Sequence, residues 1–229
     1  VGSDVYLTNT SNSYTGVTFI NGGNVHIPSD AVFGNGGALD MTATMTLDGN
    51  WTTSRMVNFN SGTAAAVLNT NGFDATLDGP IGCYTTALTN QTAGVLNKNG
   101  AGTLNITSNI NTYVGGLNVN GGTVLVNGTL PASLVATSAI TVNTGAALGG
   151  SGSIYRNVNV AAGGTLAPGN SPGILFVGGN VALAAGGTLA MEIAGAAAGN
   201  GPNNHDQLRV DGTVNVTGAA LNAAMGFWS

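Results

Sequence analysis

Short apolar runs separated by polar turns extend along the whole chain. Seven of these runs are rich in Val, Leu, Ile and Thr and are bounded by Gly, Asn or Asp, a pattern that predicts β-strands. They comprise residues 123–126, 104–106, 139–142, 157–160, 188–193, 207–210 and 213–216. Helical spacing is nearly absent, because the best candidate, Ala194–Ala198, contains a glycine and ends at a Gly-Asn-Gly-Pro sequence. The pattern therefore predicts an all-β protein.

A short motif precedes many of these runs: one or two Gly, then Thr or Ala, then an aliphatic residue. From residue 124 onward the aliphatic positions are Val124, Leu148, Leu166, Leu189 and Val214, separated by 24, 18, 23 and 25 residues. A loose period of about 20 residues is typical of a solenoid, in which each repeat buries its apolar face against its neighbours.

We therefore predict a right-handed, single-stranded parallel β-helix. About 20 residues accommodate three short strands and their turns, and each coil adds about 4.8 Å, so the chain would form about ten coils and a length of about 50 Å. Stacked Asn side chains are expected to form hydrogen-bonded ladders between coils. A β-sandwich is the alternative, but it does not require one motif to recur in register.

One longer phrase occurs twice, 99 residues apart. Residues 12–27 are NSYTGVTFINGGNVHI, and residues 111–126 are NTYVGGLNVNGGTVLV. We interpret this phrase as the sequence that specifies one coil, used again because every coil has the same kind of neighbours.

The chain is unusually poor in charge. Only 6% of its 229 residues are charged, 38 are glycine, and the net charge is −5. The basic residues Arg55, Lys98, Arg156 and Arg209 are scattered singly. Since a nucleic acid requires a basic patch, we exclude it as a partner.

Cysteine content and the N-terminal sequence bear on how the chain is processed. The single cysteine, Cys83, excludes an intramolecular disulfide and a cysteine-based zinc site. No run approaches the roughly 20 apolar residues of a membrane helix. The chain begins VGSDVYL, without Met or an apolar leader. We interpret it as a mature product or an excised fragment, so that any signal peptide lies outside this sequence.

Three short motifs are candidates for catalytic chemistry. Gly169–Gly173 (GNSPG) matches the Gly-x-Ser-x-Gly pattern of hydrolases, but that chemistry needs a helix after the serine, and here Pro172 follows Ser171. We predict a corner between coils. His205 and Asp206 are adjacent and would point to opposite faces of a strand, so loop anchoring is favoured. His26 is expected to face outward without a task.

Asp74 and Asp78 are candidates for half of a calcium-binding acidic cluster of the kind found in β-helix lyases. Arg55 is the only cation that the sequence places near them, and turn capping is the favoured interpretation. Gly36-Gly37 does not begin a calcium-binding repeat.

Aromatic residues make up 6% of the chain, too few for an obvious sugar-stacking platform. Trp51, Trp228 and Tyr84 are more readily explained by packing. We predict no catalytic residue, no cofactor site and no metal site.

A family resemblance is carried by residues 96–130, LNKNGAGTLNITSNINTYVGGLNVNGGTVLVNGTL. This stretch resembles the passenger-associated transport repeat of bacterial autotransporters. The residues that fit the repeat are Lys98, Gly100, Gly102, Thr103, Leu104, Asn111, Thr112, Tyr113, Gly115, Gly116, Gly121, Gly122 and Thr123. The first copy, 7–27, is degraded, with Val17 in place of the second Gly and Asn24 in place of Thr.

The segments 150–195 and 205–223 are similar to coils that follow this repeat in such passengers. We accordingly divide one continuous β-helix, 1–229, into three parts. Residues 1–92 are divergent coils, 93–130 are the passenger-associated repeat, and 131–229 are coils of the C-terminal type.

The resemblance implies a non-catalytic segment of a cell-surface or secreted bacterial passenger, acting as a rigid stalk or adhesin scaffold. The implied partners are further coils or domains of the same parent chain at both ends, and a receptor or glycan. Two alternatives stay open. One is a structural protein that assembles end to end into a filament or surface layer, and the other is a polysaccharide-active β-helix enzyme.

Overall fold

The computed structural model describes residues 3–59, 65–82, 94–132 and 138–226. It contains 28 short strands in these ranges, and their one helical element is a 3₁₀ turn, Asp30–Phe33. The chain passes repeatedly from one sheet to the next, so that each circuit forms a coil with three faces. The all-β parallel β-helix predicted from the sequence is confirmed.

The first face, sheet A, extends through the whole stack in chain order. Its ten strands are Asp4–Tyr6 (β1), Asn24–Ile27 (β3), Thr44–Leu47 (β5), Ala66–Asn69 (β8), Leu96–Asn99 (β11), Leu117–Val119 (β13), Ile140–Val142 (β16), Val158–Val160 (β19), Val181–Leu183 (β22) and Val214–Asn215 (β27). Each pairs in parallel with the strand one coil away.

The second face, sheet C, follows sheet A in each coil from Trp51 onward. Its strands are Trp51–Thr53 (β6), Ala75–Leu77 (β9), Thr103–Ile106 (β12), Gly122–Val126 (β14), Ala146–Gly150 (β17), Thr165–Pro168 (β20), Thr188–Ile193 (β23), Ala197–Ala198 (β24), Asn204–His205 (β25) and Ala220–Met225 (β28). Strands β24 and β25 belong to an excursion between coils, and β25 runs antiparallel to β23.

The third face consists of two separate four-stranded sheets. Sheet B, at the N-terminal side, contains Thr18–Ile20 (β2), Leu39–Met41 (β4), Val57–Phe59 (β7) and Ile81–Gly82 (β10). Sheet D, at the C-terminal side, contains Thr129–Leu130 (β15), Ser153–Ile154 (β18), Ile174–Val177 (β21) and Gln207–Val210 (β26). Between them, the backbone N–H groups of Thr112 and Tyr113 donate to the carbonyl of Ile81.

The core is a continuous column of aliphatic side chains inside the coils. On sheet C, Leu104, Val124, Leu148 and Leu166 are stacked in register and fully buried. Stacking places equivalent residues of successive coils in contact, so the apolar surface that a single coil leaves exposed is covered by the next.

All seven strand segments predicted from the sequence are strands in the structure. Two have the predicted bounds, and the other five differ by one residue at one or both ends. The periodicity is correct as far as Leu189, which is stacked on Leu166. The next predicted position, Val214, is wrong: Val214 pairs with Val181 in sheet A, whereas Leu221 is stacked on Leu189. The excursion that contains β24 and β25 lengthens this coil and shifts the register.

The two copies of the repeated phrase lie on different faces, which the sequence did not predict. Asn21–Gly23 connects sheet B to sheet A, whereas Asn120–Gly122 connects sheet A to sheet C. Val5 and Lys98 occupy the same column of sheet A, four coils apart, and are separated by 93 residues. The two copies of the phrase are 99 residues apart, so they do not occupy equivalent positions. The second copy therefore lies one face further along the coil than the first. The phrase specifies a corner and its flanking strands, and not a particular face of the coil.

Candidate functional site

The Gly169–Gly173 segment forms a corner between coils, as predicted. It connects β20 to β21, and a strand therefore follows Ser171 where a hydrolase would have a helix. Ser171 has a φ of +65° and an exposed side chain, and its hydroxyl is 3.1 Å from Oε1 of Glu192. This pairing orients the serine toward a carboxylate and not toward an imidazole.

Asp206 anchors this corner from the next coil. Its buried carboxylate accepts hydrogen bonds from the backbone N–H groups of Gly173, at 2.7 Å, and Glu192, at 2.6 Å. His205 has a different partner, since its Nδ1 is 2.9 Å from the carbonyl oxygen of Gly195 within the excursion. The loop anchoring predicted for this dipeptide is confirmed, and the two side chains serve separate backbone groups.

Asp74 and Asp78 contact the following coil. Asp74 Oδ1 accepts from the backbone N–H of Thr103 at 2.8 Å, and Asp78 Oδ1 accepts from the hydroxyl of Thr107 at 2.5 Å. The expectation that Arg55 is the nearby cation is wrong. Arg55 pairs with Asp30 at 2.9 Å, and the cation that interacts with Asp74 is Lys98.

Lys98 is the most unusual residue of the interior. It occupies an inward position of sheet A, between Leu68 and Val119 in neighbouring coils, and is fully buried. Its Nζ donates to the carbonyl oxygens of Gly100, Gly102 and Gly121 at 2.7–2.8 Å. Burial lowers the pKa of Lys98 to about 8, and the negative charge of Asp74 partly opposes this shift.

Two of the three arginines also bind backbone carbonyls at corners. Arg55 donates to the carbonyls of Gly34 and Gly37 in addition to its ion pair. Arg156 is buried, lies 5.3 Å from the Tyr113 ring centroid and donates to the carbonyls of Tyr113, Gly115 and Pro131. Three of the four cations that appear scattered in the sequence, Arg55, Lys98 and Arg156, therefore satisfy corner carbonyls that the strands leave unpaired.

His26 faces outward, as predicted, but it has partners. Its ring is stacked on Tyr6 at 4.3 Å, and its Nδ1 is 3.0 Å from Oδ1 of Asp48. The prediction that His26 has no role is wrong. Its contacts with Tyr6 and Asp48 link three successive coils.

The other residues singled out in the sequence divide between the core and the parts of the chain outside the described ranges. Trp51 is buried, and its Nε1 donates to Asp30 at 3.1 Å, which confirms the packing interpretation. Cys83, Tyr84 and Trp228 lie outside the described residues.

Asparagine ladders cover part of the outer surface, as predicted. Nδ2 of Asn120 donates to Asn99 at 2.9 Å, and Nδ2 of Asn143 donates to Asn120 at 2.6 Å. A parallel contact joins Asn118 to Asn97 at 2.9 Å. Each ladder satisfies side-chain amides between coils without placing a charge on the surface.

A shallow groove of about 340 Å³ crosses the outer side of sheet C beside the Gly169–Gly173 corner. Small residues, including Gly149, Ala167 and Ala190, form its floor, and Ser171 and Glu192 lie at its rim. Among the described residues, no three His, Cys, Asp or Glu side chains lie close enough to hold a metal ion. Within the same ranges, no helix is long and apolar enough to cross a membrane.

A cluster on sheet D was not anticipated from the sequence. Tyr155 and Phe176 contact edge to face, with ring centroids 5.3 Å apart and an interplanar angle of 60°. The guanidinium carbon of Arg209 is 6.0 Å from the centroid of Phe176. We call these three residues the aromatic–arginine patch. The sequence could have indicated this cluster through the alignment of the three residues in successive coils. The excursion after β23 lengthens one coil and so hides that alignment.

Comparison with known proteins supports one family. The family model described as the passenger-associated transport repeat matches residues 4–27 and 96–126. The Adhesin BmaC autotransporter of Brucella suis biovar 1 (strain 1330) is 35% identical over 135 residues, which are 58% of this chain and 3% of that protein. No solved structure matches the chain.

A second relative is the Uncharacterized protein YuaQ of Escherichia coli (strain K12), 41% identical over 76 residues, which are 33% of this chain and 6% of that protein. The chain thus spans only a small share of the length of either relative. The repeat match falls on the same two segments as the resemblance found in the sequence, and the stacked coils provide the fold that such a repeat requires. The comparisons therefore support an autotransporter passenger repeat domain, with the repeat itself matched at residues 4–27 and 96–126.

Proposed function

We propose that this chain is a non-catalytic spacer of a surface-exposed passenger, which holds adhesive parts of its parent protein away from the cell. The observation that carries the proposal is the uninterrupted parallel register of sheet A, from β1 to β27. A rod whose every coil is hydrogen-bonded to both neighbours resists bending, because bending would stretch many backbone hydrogen bonds at once.

The comparisons support a cell-surface or secreted location and an adhesive context. One relative is named as an adhesin and an autotransporter, and the matched repeat is described as passenger-associated. The low charge suits this role, since few charged side chains need to be paired or solvated when coils are added one after another. Further coils of the parent chain are the partners we propose for both ends of the stack.

The arrangement of polar groups supports a non-enzymatic role. Ser171, Asp206 and Asp74 each bind a group of their own coil or the next coil. Asp74 and Asp206 bind backbone N–H groups, which are stabilising contacts between coils.

Display on a bacterial surface tests the proposal. The chain is placed between an epitope tag and an outer-membrane anchor, and the cells are treated with protease from outside. We expect the tag to be accessible to antibody and the coils to survive as one resistant fragment, because stacked strands open rarely. The matched control carries the Gly102→Ala substitution, which we expect to loosen the stack. Degradation of the unaltered chain to small fragments, or release of sugars from a panel of polysaccharides, would contradict the proposal.

End-to-end assembly is a second candidate, favoured by the strand β28. One edge of β28 pairs with β23, and Leu221 and Met225 on it are 69% and 65% exposed. Leu221 is stacked on Leu189 and so continues the column of sheet C, with its side chain exposed in this chain. A second copy of this chain could cover it by adding its own strand.

A further inference from the structure

We propose that the aromatic–arginine patch, Tyr155, Phe176 and Arg209, binds an acidic sugar unit of a polysaccharide, in which a carboxylate is attached to a pyranose ring. This inference rests on the proposed surface role and assigns it a ligand class.

The register of sheet D assembles the patch. Ser153, Phe176 and Arg209 occupy the same position in three successive coils, and Tyr155 lies two residues beyond Ser153. Phe176 lies between the buried residues Leu175 and Val177 along its strand, so its side chain is directed outward. Arg209 lies between Leu208 and Val210, which pack against the core, and is directed outward for the same reason. The three groups thus form a surface about two coil spacings, or about 10 Å, in extent, comparable to a short stretch of polysaccharide.

The patch depends on a glycine beneath it. A Cβ added at Gly178 would lie 2.8 Å from Cδ1 of Tyr155 and 3.5 Å from Cε1 of Phe176. The tyrosine ring therefore lies directly against the backbone of the next coil. Its 45% exposure then leaves part of the ring open to a ligand while the rest is held in place.

Arg209 supplies the charge. Its side chain is exposed, and the contact it makes within the described residues is with the Phe176 ring and not with a carboxylate. Arg55, Lys98 and Arg156 instead bind backbone carbonyls of the corners. In a chain of net charge −5, Arg209 is the cation left available at the surface of the described ranges.

These properties together match an acidic pyranose. A guanidinium binds a carboxylate through two parallel hydrogen bonds, and the exposed part of the Tyr155 ring offers an apolar surface to the C–H groups of a sugar ring. A nucleic acid also stacks on aromatic rings, but it needs several cations for its phosphates, and the patch provides one.

The experiment uses the purified 229-residue chain and an oligomer of six galacturonic acid units, with a neutral glucose oligomer of the same length for comparison. We expect titration calorimetry to detect the acidic oligomer and to show at least tenfold weaker binding of the neutral one. Arg209→Gln should weaken acidic-oligomer binding by roughly tenfold or more, since charge-assisted hydrogen bonds are lost. Tyr155→Ala should weaken the binding of both oligomers.

The matched control is Phe73→Ala, which removes a partly exposed aromatic ring, 37% accessible, located outside the patch. This variant should bind like the unaltered chain, and circular dichroism checks that all variants retain their strands. Equal affinity for the two oligomers, no effect of Arg209→Gln, or no binding at about 1 mM would overturn the proposal. Tighter binding of an oligothymidylate would overturn it in favour of a nucleic acid. These outcomes do not bear on the spacer role, because that role is tested separately by surface display and protease resistance.

Discussion

At the scale of single residues, the interior of this chain is organised by a few buried cations that bind corner carbonyls. The sequence showed Lys98 only as one residue of a repeat motif. Its role depends on the corners of two adjacent coils, since Gly100 and Gly102 follow it directly while Gly121 lies one coil further. Contacts between coils cannot be derived from a motif alone, because the register between coils is set by the full length of each coil.

Lys98→Met is expected to lower the free energy of unfolding by about 2–3 kcal/mol at pH 7, since three carbonyls lose their donor. The pKa of Lys98 is about 8 in the folded chain and 10.5 in its ordinary state. The unfolded chain therefore holds this proton more tightly, and the stability of the unaltered chain rises with pH between these two values. The stability difference between the unaltered chain and Lys98→Met should grow by about 3 kcal/mol over that window.

Denaturant titrations followed by circular dichroism at pH 7, 8, 9 and 10 measure this difference. The control is Arg209→Met, because an exposed arginine stays charged over this range and its removal should give no such slope. A difference between Lys98→Met and the unaltered chain that stays constant with pH would contradict the buried-ammonium account.

At the scale of elements, glycine at the corners sets how closely one coil approaches the next. A Cβ at Gly102 would fall on the carbonyl oxygen of Phe73, and a Cβ at Gly122 would meet the carbonyl of Gly102. The Gly-Gly-Thr-Leu motifs therefore mark the positions where the backbones of adjacent coils are in contact. This agrees with the solenoid predicted from these motifs.

The sequence predicted the strands of the later coils well and those of the earlier coils poorly. From residue 96 onward, the repeated motifs fix both the strands and the turns. Before residue 93, the motifs are degraded, and the 3₁₀ turn Asp30–Phe33 replaces a strand on the face that sheet C occupies in later coils. Because Trp51 and Arg55 both bind Asp30, this turn depends on partners about 20 residues away, which local propensity cannot indicate.

Gly102→Ala should destabilise the chain by about 3 kcal/mol, because the added methyl group forces two backbones apart. Gly22→Ala is the matched control. No atom lies within 4 Å of a Cβ at Gly22, so its effect should remain within about 0.5 kcal/mol. Thermal unfolding of both variants measures the difference, and equal midpoints would show that the corners are not in close contact.

At the scale of the whole molecule, the stack is a rod whose length grows with the number of coils and whose end exposes core residues. Val214 and Leu221 continue the columns of sheets A and C into the last coil, and both are exposed. The sequence pattern placed Val214 in the column of Leu166 and Leu189, whereas Leu221 occupies that position. It could not predict which residues form the cross-section, because the excursion before β26 changes the register.

Leu221→Lys combined with Met225→Lys should abolish self-association of the isolated chain. Two ammonium groups on the open edge would repel a second copy and oppose the addition of a strand. Sedimentation velocity should show concentration-dependent oligomers for the unaltered chain and for a Phe73→Lys control, but monomers for the double variant. An unaltered chain that remains monomeric at high concentration would contradict the open-edge account.

The central claim, a rigid stack of coils in the stated register, is tested most directly by distances between spin labels. Thr44, Thr141, Asn159 and Ala182 occupy one column of sheet A. Cys83 is replaced by Ser, and labels are placed in pairs at Thr44 and each of the other three positions. Thr44 precedes them by four, five and six coils, so the account predicts narrow distance distributions near about 19, 24 and 29 Å. Broad distributions, or distances that do not increase by about 4.8 Å per coil, would contradict it.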